Sequence, residues 1–110
     1  MNIAYSTNRL RKQLSSASEI KRAFGVNAKW VSRRITQITA APNLAILQQL
    51  PQANCHPLTG DRKGEWAVNI SANHRLIFVI DHDPIPENDD GSVNTILVTD
   101  IRIIETTDYH

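Results

Sequence analysis

The sequence is poor in the features that mark exported and membrane proteins. Its single cysteine, Cys55, excludes an internal disulfide framework and is typical of a reducing compartment. No apolar run approaches the roughly 20 residues that a membrane helix needs. The start, Met1 to Tyr5, lacks the charged and apolar segments of a signal peptide. We therefore expect a cytoplasmic protein with no membrane association.

The sequence also lacks Cys and His residues at the spacing of a metal site. Cys55 and His56 are adjacent, and Asp81-His82-Asp83 alternates acid and imidazole. Neither segment has the paired spacing of a zinc site, and only one cysteine is present. We expect no metal and no cofactor. The length of 110 residues predicts a single domain over residues 1–110, with one modest core.

Charge is divided unevenly along the chain. Residues 1–63 contain ten Lys and Arg against Glu19 and Asp61, a balance of +8. Residues 64–110 contain two arginines against nine carboxylates, a balance of −7. A basic half on a nearly neutral protein is a candidate surface for a polyanion, although a solvated helix face has the same composition.

The first half has helical periodicity after a short strand at residues 3–5. Ser6 or Thr7 is expected to cap a helix that runs to about Leu14. Ser18 is the predicted cap of a long helix over residues 19–40, in which Gly25 is a point where a kink could form. Asn43 is expected to cap a short helix through Gln49. In the long helix, three cations share one face: Arg22, Lys29 and Arg33.

The second half has the alternation of strands. Trp66, Val68 and Ile70 alternate with polar or small residues, which predicts a half-buried strand. Residues 74–80 are a second predicted strand, joined to the first by a two-residue turn at Ala72-Asn73 in which Asn73 can adopt positive φ. Residues 81–94 are predicted to form a loop, and residues 95–104 a last strand. The order predicts an α+β fold, with two or three N-terminal helices packed on a curved antiparallel sheet.

Three proton-handling side chains follow the last predicted strand: Asp108, Tyr109 and His110. A carboxylate, a phenol and an imidazole in a row suggest acid–base chemistry if the end is held against the body. A polar terminus without function is the alternative.

Two further segments are candidates for phosphate binding. Gly60 and Gly64 bracket a turn that presents Arg62 and Lys63, although the same composition is ordinary in turns. Arg75 is expected on the same strand face as Ile77 and Val79. One interpretation is that Arg75 is paired with a residue of the last strand, where Asp100 and Arg102 could supply the pairing. The other is that its guanidinium is directed at a phosphate, whose geometry it suits.

Several segments together form one recognisable pattern: CHPLTGDRKGEWAVNISANHRLIF, the later DPIP and DG, and the terminal DYH. This pattern resembles that of HigB-type toxins, a branch of the RelE/ParE superfamily of bacterial toxin–antitoxin modules. The resemblance covers essentially the whole chain, and its most specific parts are HPLxGDRxG at residues 56–64 and the terminal DYH.

The resemblance implies ribosome-dependent cleavage of messenger RNA and neutralisation by a small helix-turn-helix antitoxin similar to HigA. It implies a catalytic set of His56, Arg75, Asp108, Tyr109 and His110. The two histidines would transfer protons, Asp108 would hold a histidine tautomer, Tyr109 would contact the substrate, and Arg75 would stabilise charge. No metal is needed for such a reaction. Cations expected to bind RNA and the ribosome are Arg9, Arg11, Lys12, Arg22, Lys29, Arg33, Arg62 and Lys63.

The sequence departs from the family pattern at two positions. Thr59 stands where related HigB toxins can carry lysine, and Ser71 is expected at a strand position of the site that can be arginine. Loss of these cations would weaken phosphate stabilisation or ribosome affinity. These missing cations leave open a degenerate module that only binds its antitoxin and regulates transcription. A non-catalytic poison of DNA gyrase also remains open, because the ParE branch of the superfamily has the same fold.

Overall fold

The helices begin where a side chain can accept a hydrogen bond from the first helical turn. In the computed structural model, which describes residues 1–108, the side chains of Thr7, Ser16 and Asn43 fill this role for three helices. The helices are α1 (Asn8–Leu14), α2 (Ala17–Phe24), α3 (Ala28–Ala40) and α4 (Leu44–Gln48). The predictions for α1 and α4 are confirmed.

The predicted long helix over residues 19–40 is wrong. It is divided into α2 and α3 by a 3-10 turn at Gly25–Asn27, and its cap is Ser16 rather than Ser18. Gly25 has a φ of +56°, a left-handed conformation that cannot continue an α-helix. The face that was expected to align Arg22 with Lys29 and Arg33 is therefore interrupted.

The sheet has five strands in the order β1-β5-β4-β3-β2. The strands are β1 (Asn2–Tyr5), β2 (His56–Pro57), β3 (Glu65–Asn69), β4 (His74–Ile80) and β5 (Asp100–Asp108). All neighbours are antiparallel except β1 and β5, which run parallel. The expected α+β arrangement, helices followed by a mostly antiparallel sheet, is confirmed.

The last strand begins later and ends later than predicted. Residues Thr95–Leu97 form a 3-10 turn, because the backbone here packs beside α4, where the Leu44 N–H donates to the Val98 carbonyl over 3.0 Å. A bulge in β5 lies between the register pairs Ile77–Glu105 and Phe78–Ile103. The strand then continues to Asp108, so this carboxylate belongs to the sheet.

The turn between β3 and β4 also differs from the prediction. The Ile70 N–H donates to the His74 carbonyl over 2.9 Å, which leaves residues 71–73 as the connection. Among the described residues, Asn54 is the one non-glycine with positive φ, so Asn73 does not adopt that conformation.

One face of the sheet packs against the helices, and the other is here named the open face. The helix-packed face supplies buried apolar side chains to the core: Trp66, Val68, Ile70, Leu76, Phe78, Ile80, Ile101 and Ile103. Alternation along the strands places the intervening residues on the open face: Ala67, Asn69, Arg75, Ile77, Glu105 and Thr107. Within residues 1–108, no helix is long and apolar enough to cross a membrane.

Candidate active-site groove

The open face contains a groove of about 400 Å³ where β4 begins and β5 ends. It is lined by Leu58, Thr59, Arg62, Arg75, Ile77, Thr107 and Asp108. Three of the predicted site residues, Arg62, Arg75 and Asp108, thus share one cavity with the hydroxyls of Thr59 and Thr107. Two guanidiniums and hydroxyls around a concave surface are suited to holding a phosphate, while the Asp108 carboxylate, at the end of β5, pairs with its register partner His74.

Arg75 enters this groove because of its place on β4. It faces Asn69 on β3 and Thr107 on β5, and shares the open face with Ile77. The proposed pairing of Arg75 with Asp100 or Arg102 is wrong, since the register places both at the opposite end of β5.

Asp100 and Arg102 have partners of their own. Asp100 accepts hydrogen bonds from the Thr99 hydroxyl at 2.7 Å and the Asn2 amide at 3.3 Å, which lower the pKa of its carboxyl. The Arg102 guanidinium contacts the Asp81 carboxylate at 3.2 Å. These contacts fasten β5 to its neighbours far from the groove.

Arg62 is held over the groove by two carboxylates from different strands. Its guanidinium lies 2.6 Å from Glu65 Oε1 and also forms an ion pair with Glu105. These hydrogen bonds, first with Glu105 and then with Glu65, raise the pKa of Arg62. Glu65 and Glu105 flank β4 on either side, so the guanidinium spans that strand. The positive charge of Arg62 is thereby largely offset.

Asp108 lies beside a histidine that the sequence did not single out. Its Oδ2 atom is 3.4 Å from His74 Nε2, and His74 Nδ1 is 3.4 Å from the Ser71 hydroxyl. His74 is not in the predicted catalytic set, so the expected role of Asp108 toward a catalytic histidine stays a prediction. Only the register pair His74–Asp108 brings the two together, and local sequence contains no signal for that pairing.

His56 lies on the short edge strand β2, opposite Ala67. Pairing across the sheet places His56 on the open face, two strands away from Arg75. Ideal strand spacing puts the Cα atoms of His56 and Arg75 about 12 Å apart. His56 does not line the groove. Its Nδ1 lies 2.7 Å from the Asn54 carbonyl, to which it donates, so in the neutral ring Nε2 holds the lone pair. Tyr109 and His110 lie outside the described residues.

The predicted RNA-binding cations form separate groups. Arg9, Lys12 and Arg22 border one shallow cavity on α1 and α2. Lys29 and Arg33 flank Trp30 on α3. Arg11 lies near Tyr5, where its charge opposes the burial that raises the pKa of the phenol. Arg62 and Lys63 belong to the turn over the groove.

The two departures from the family pattern lie in different places. Thr59 lines the groove, where a longer cationic side chain would share the cavity with Arg75. Ser71 lies in the turn after β3 and borders the cavity near Trp30, so the expectation that it is a strand residue at the site is wrong. Among residues 1–108, no three His, Cys, Asp or Glu side chains are grouped as metal ligands.

Comparison with known proteins gives no match to a family model and no match to a curated protein. Solved structures, in contrast, match over nearly the whole chain. The YoeB/ParE toxin from Agrobacterium tumefaciens has a TM-score of 0.54 and 14% identity, with 100% of both chains covered. The chain has the fold of the RelE, YoeB and YafQ toxins.

Two further structures support this toxin fold. The YoeB-YefM complex from Staphylococcus aureus has a TM-score of 0.53 and 14% identity, over 100% of this chain and 97% of that one. YafQ from E. coli strain BL21(DE3) has a TM-score of 0.50 and 18% identity, over 97% and 91%. Identities this low establish the fold alone.

Proposed function

We propose that the chain is the toxin of a type II toxin–antitoxin module, similar to HigB, and that it cleaves messenger RNA on the ribosome. Residues 1–110 would act as one toxin domain in the cytoplasm. The observation that carries this proposal is the convergence of Arg75, Arg62 and Asp108 in one groove on the open face of a toxin fold. A phosphodiester bound there would meet a guanidinium in a concave, partly desolvated site.

The proposed reaction is attack of a ribose 2′-hydroxyl on the adjacent phosphate. The O2′–P bond forms and the P–O5′ bond breaks, which yields a 2′,3′-cyclic phosphate and a 5′-hydroxyl. One group takes the 2′ proton and another protonates the departing 5′ oxygen. Arg75 stabilises the additional negative charge on phosphorus oxygens. This chemistry needs no metal ion.

We assign proton transfer to His56 and His110, substrate contact to Tyr109, and orientation of a histidine to Asp108. The hydrogen bond of His56 Nδ1 to Asn54 supports its role, because it leaves Nε2 available as a base. His56 must reach the substrate from β2, at the side of the groove away from Asp108.

The proposed partners are an antitoxin, the ribosome and its messenger RNA. A HigA-like helix-turn-helix protein is the antitoxin we expect. Support for an antitoxin comes from the S. aureus match, in which YoeB is in complex with YefM. The cations of α1 to α3 and of the turn at 60–63 would contact ribosomal RNA through phosphates, so ribosome affinity should fall steeply with salt.

A second candidate is a module that binds its antitoxin without cleaving RNA. One observation favours it: Glu65 and Glu105 form ion pairs with Arg62 and offset its charge, and Thr59 adds no cation to the groove. Gyrase poisoning is the remaining alternative, since the toxin fold does not separate these activities.

One induction experiment distinguishes these functions. Cells expressing the wild type, or the double variant His56→Ala, His110→Ala, are compared by 5′-end mapping of translated mRNA and by plasmid supercoiling. We expect new mRNA ends in the wild type alone, and unchanged supercoiling. Growth arrest without new ends, or equal cleavage by the double variant, would contradict the catalytic assignment.

A further inference from the structure

A second cavity, here named the Trp30 cavity, lies between α3 and the turn that joins β3 to β4. Its volume is about 560 Å³, larger than that of the groove. It is lined by Trp30, Arg33, Arg34, Gln52, Asn69, Ile70, Ser71 and Ala72. None of these residues lines the groove, and the proposed reaction uses none of them.

The wall of the cavity is an exposed aromatic ring with two cations close to it. Trp30 is 36% exposed, whereas Trp66, the other tryptophan, is 6% exposed and stacks on Phe78 in the core. Lys29 Nζ and the Arg33 guanidinium carbon each lie 4.9 Å from the centroid of the Trp30 ring. Trp30 therefore contributes little to the core and presents a π surface with positive charge to solvent.

The floor of the cavity is fixed by a buried arginine. Arg34 is 5% exposed, and its guanidinium donates to the Asn69 carbonyl at 2.6 Å, to Gln37 Oε1 at 2.5 Å and to the Gln52 carbonyl at 3.4 Å. These bonds join α3, β3 and the segment after α4. The backbone at the floor of the cavity is therefore held in place before any ligand arrives.

We propose that the Trp30 cavity binds one unpaired nucleotide of single-stranded RNA. The base stacks on the Trp30 ring and the Arg33 guanidinium, while Lys29 contacts a neighbouring phosphate. Aromatic rings and guanidinium planes are the surfaces on which unstacked bases bind, and cations beside them hold the backbone. The amide of Gln52 and the Ser71 hydroxyl can meet the polar edge of the base.

Only the choice of RNA as the ligand rests on the proposed function. The geometry favours a single strand over a duplex, because a base must leave its stack to enter a cavity of this size. The cavity and the groove border the same end of the β3–β4 hairpin. Asn69 lines the first and its cross-strand partner Arg75 lines the second. An RNA strand held by Arg75 can thus continue around the hairpin end to Trp30.

The test uses a fluorescein-labelled RNA oligonucleotide with 2′-O-methyl riboses, which cannot be cleaved by 2′-hydroxyl attack. Fluorescence polarisation gives its affinity for the full chain. We expect Trp30→Ala to weaken binding about tenfold and Trp30→Phe to retain most of it, because stacking needs a ring. Val26→Ala is the matched control, since Val26 is 91% exposed and lies outside the cavity. Emission from the buried Trp66 reports whether each Trp30 variant is folded.

Two other polyanions test whether the Trp30 cavity prefers single-stranded RNA. The same sequence as a duplex, and polyglutamate of equal charge, should bind equally well to the wild type and to Trp30→Ala. The inference is overturned if Trp30→Ala binds the single strand as the wild type does, or if it loses affinity for the duplex or polyglutamate to the same degree.

Failure of the inference is distinguishable from failure of the proposed function. If Trp30→Ala binds the oligonucleotide normally while the induced wild type cleaves mRNA, only the Trp30 cavity is wrongly assigned. If binding depends on Trp30 while no mRNA ends appear, the inference stands and cleavage fails.

Discussion

Asn69 and Arg75 face each other across β3 and β4, and each borders a different cavity. The Asn69 carbonyl accepts a hydrogen bond from the buried Arg34, while Arg75 extends into the groove on the open face. The end of one hairpin therefore connects the helix layer, the Trp30 cavity and the proposed catalytic arginine. Changes at either residue should affect RNA binding through different contacts.

Glu105 should limit RNA binding in the groove. Its carboxylate pairs with Arg62 and places negative charge where a phosphate would approach. We expect Glu105→Gln to raise the affinity for the 2′-O-methyl oligonucleotide about two- to fivefold, because Arg62 becomes available to phosphate. Stability should change little, since both side chains of the pair are substantially exposed and solvent screens their attraction.

The matched control for Glu105 is Glu87→Gln. Glu87 is an exposed carboxylate in the loop after β4, away from the groove and from the cations expected to bind RNA. Equal gains in affinity from both substitutions would indicate a general charge effect and contradict a local role for Glu105.

Arg34 should stabilise the fold through the geometry of its hydrogen bonds rather than through its charge alone. Its three acceptors are a side-chain oxygen and two backbone carbonyls, and burial, with the nearby charge of Arg33, lowers its pKa. We expect Arg34→Ala to reduce the free energy of unfolding in urea by about 2–4 kcal/mol, because buried acceptors lose their donor.

Two variants separate geometry from charge at this site. Arg34→Lys should recover less than half of the loss, because an ammonium cannot span the three acceptors. Arg33→Ala, next to it on α3, should change stability by no more than about 0.5 kcal/mol. Full rescue by lysine would mean that charge alone matters.

Burial raises the pKa of the Cys55 thiol to about 12. The unfolded thiol loses its proton near the ordinary value of 9.0, so above that pH the unfolded chain binds fewer protons than the folded one. Stability must therefore fall as pH rises. Between pH 9 and 10 we expect the wild type to lose about 1 kcal/mol more than Cys55→Ala in urea denaturation. Identical losses in the two proteins would show that Cys55 is not linked to this transition.

A cation introduced into the groove should have an effect that depends on its position. Thr59 lines the groove, whereas Ile96, which is 67% exposed, lines neither the groove nor the Trp30 cavity. We expect Thr59→Lys to increase mRNA cleavage severalfold by additional stabilisation of the phosphate, and Ile96→Lys to leave cleavage within about twofold of the wild type. Counting new 5′ ends at equal protein levels measures both. The assignment of the groove would be contradicted if Ile96→Lys were the stronger variant.

Local rules predicted the elements whose signals lie in adjacent residues. Thr7 and Asn43 cap helices as expected, and the alternation around Trp66 identified β3 and its buried face. The prediction of one long helix was wrong because Gly25 adopts a left-handed conformation, which a helical pattern on both sides of it does not reveal. The predicted start of β5 was wrong because the apolar run at 95–98 packs beside α4 instead of pairing in the sheet.

The candidate site was predictable only in part. Arg75 on a mostly apolar strand face was a local signal, and the structure places it in the groove. The ion pairs of Arg62 and the contact of Asp108 with His74 depend on register between distant strands, which spacing along the sequence does not contain. Arg34 looked like any other helix cation, yet it is the buried one.

The most direct test of the central claim is the chemistry of the mRNA 5′ ends made by the wild type and by Arg75→Ala. Arg102→Ala serves as the control, because Arg102 is also a strand arginine but pairs with Asp81 away from the groove. We predict ends that carry a 5′-hydroxyl, ligate only after phosphorylation, disappear with Arg75→Ala and persist with Arg102→Ala. Ends that carry a 5′-phosphate, or that survive unchanged in Arg75→Ala, would contradict cleavage by 2′-hydroxyl attack in this groove.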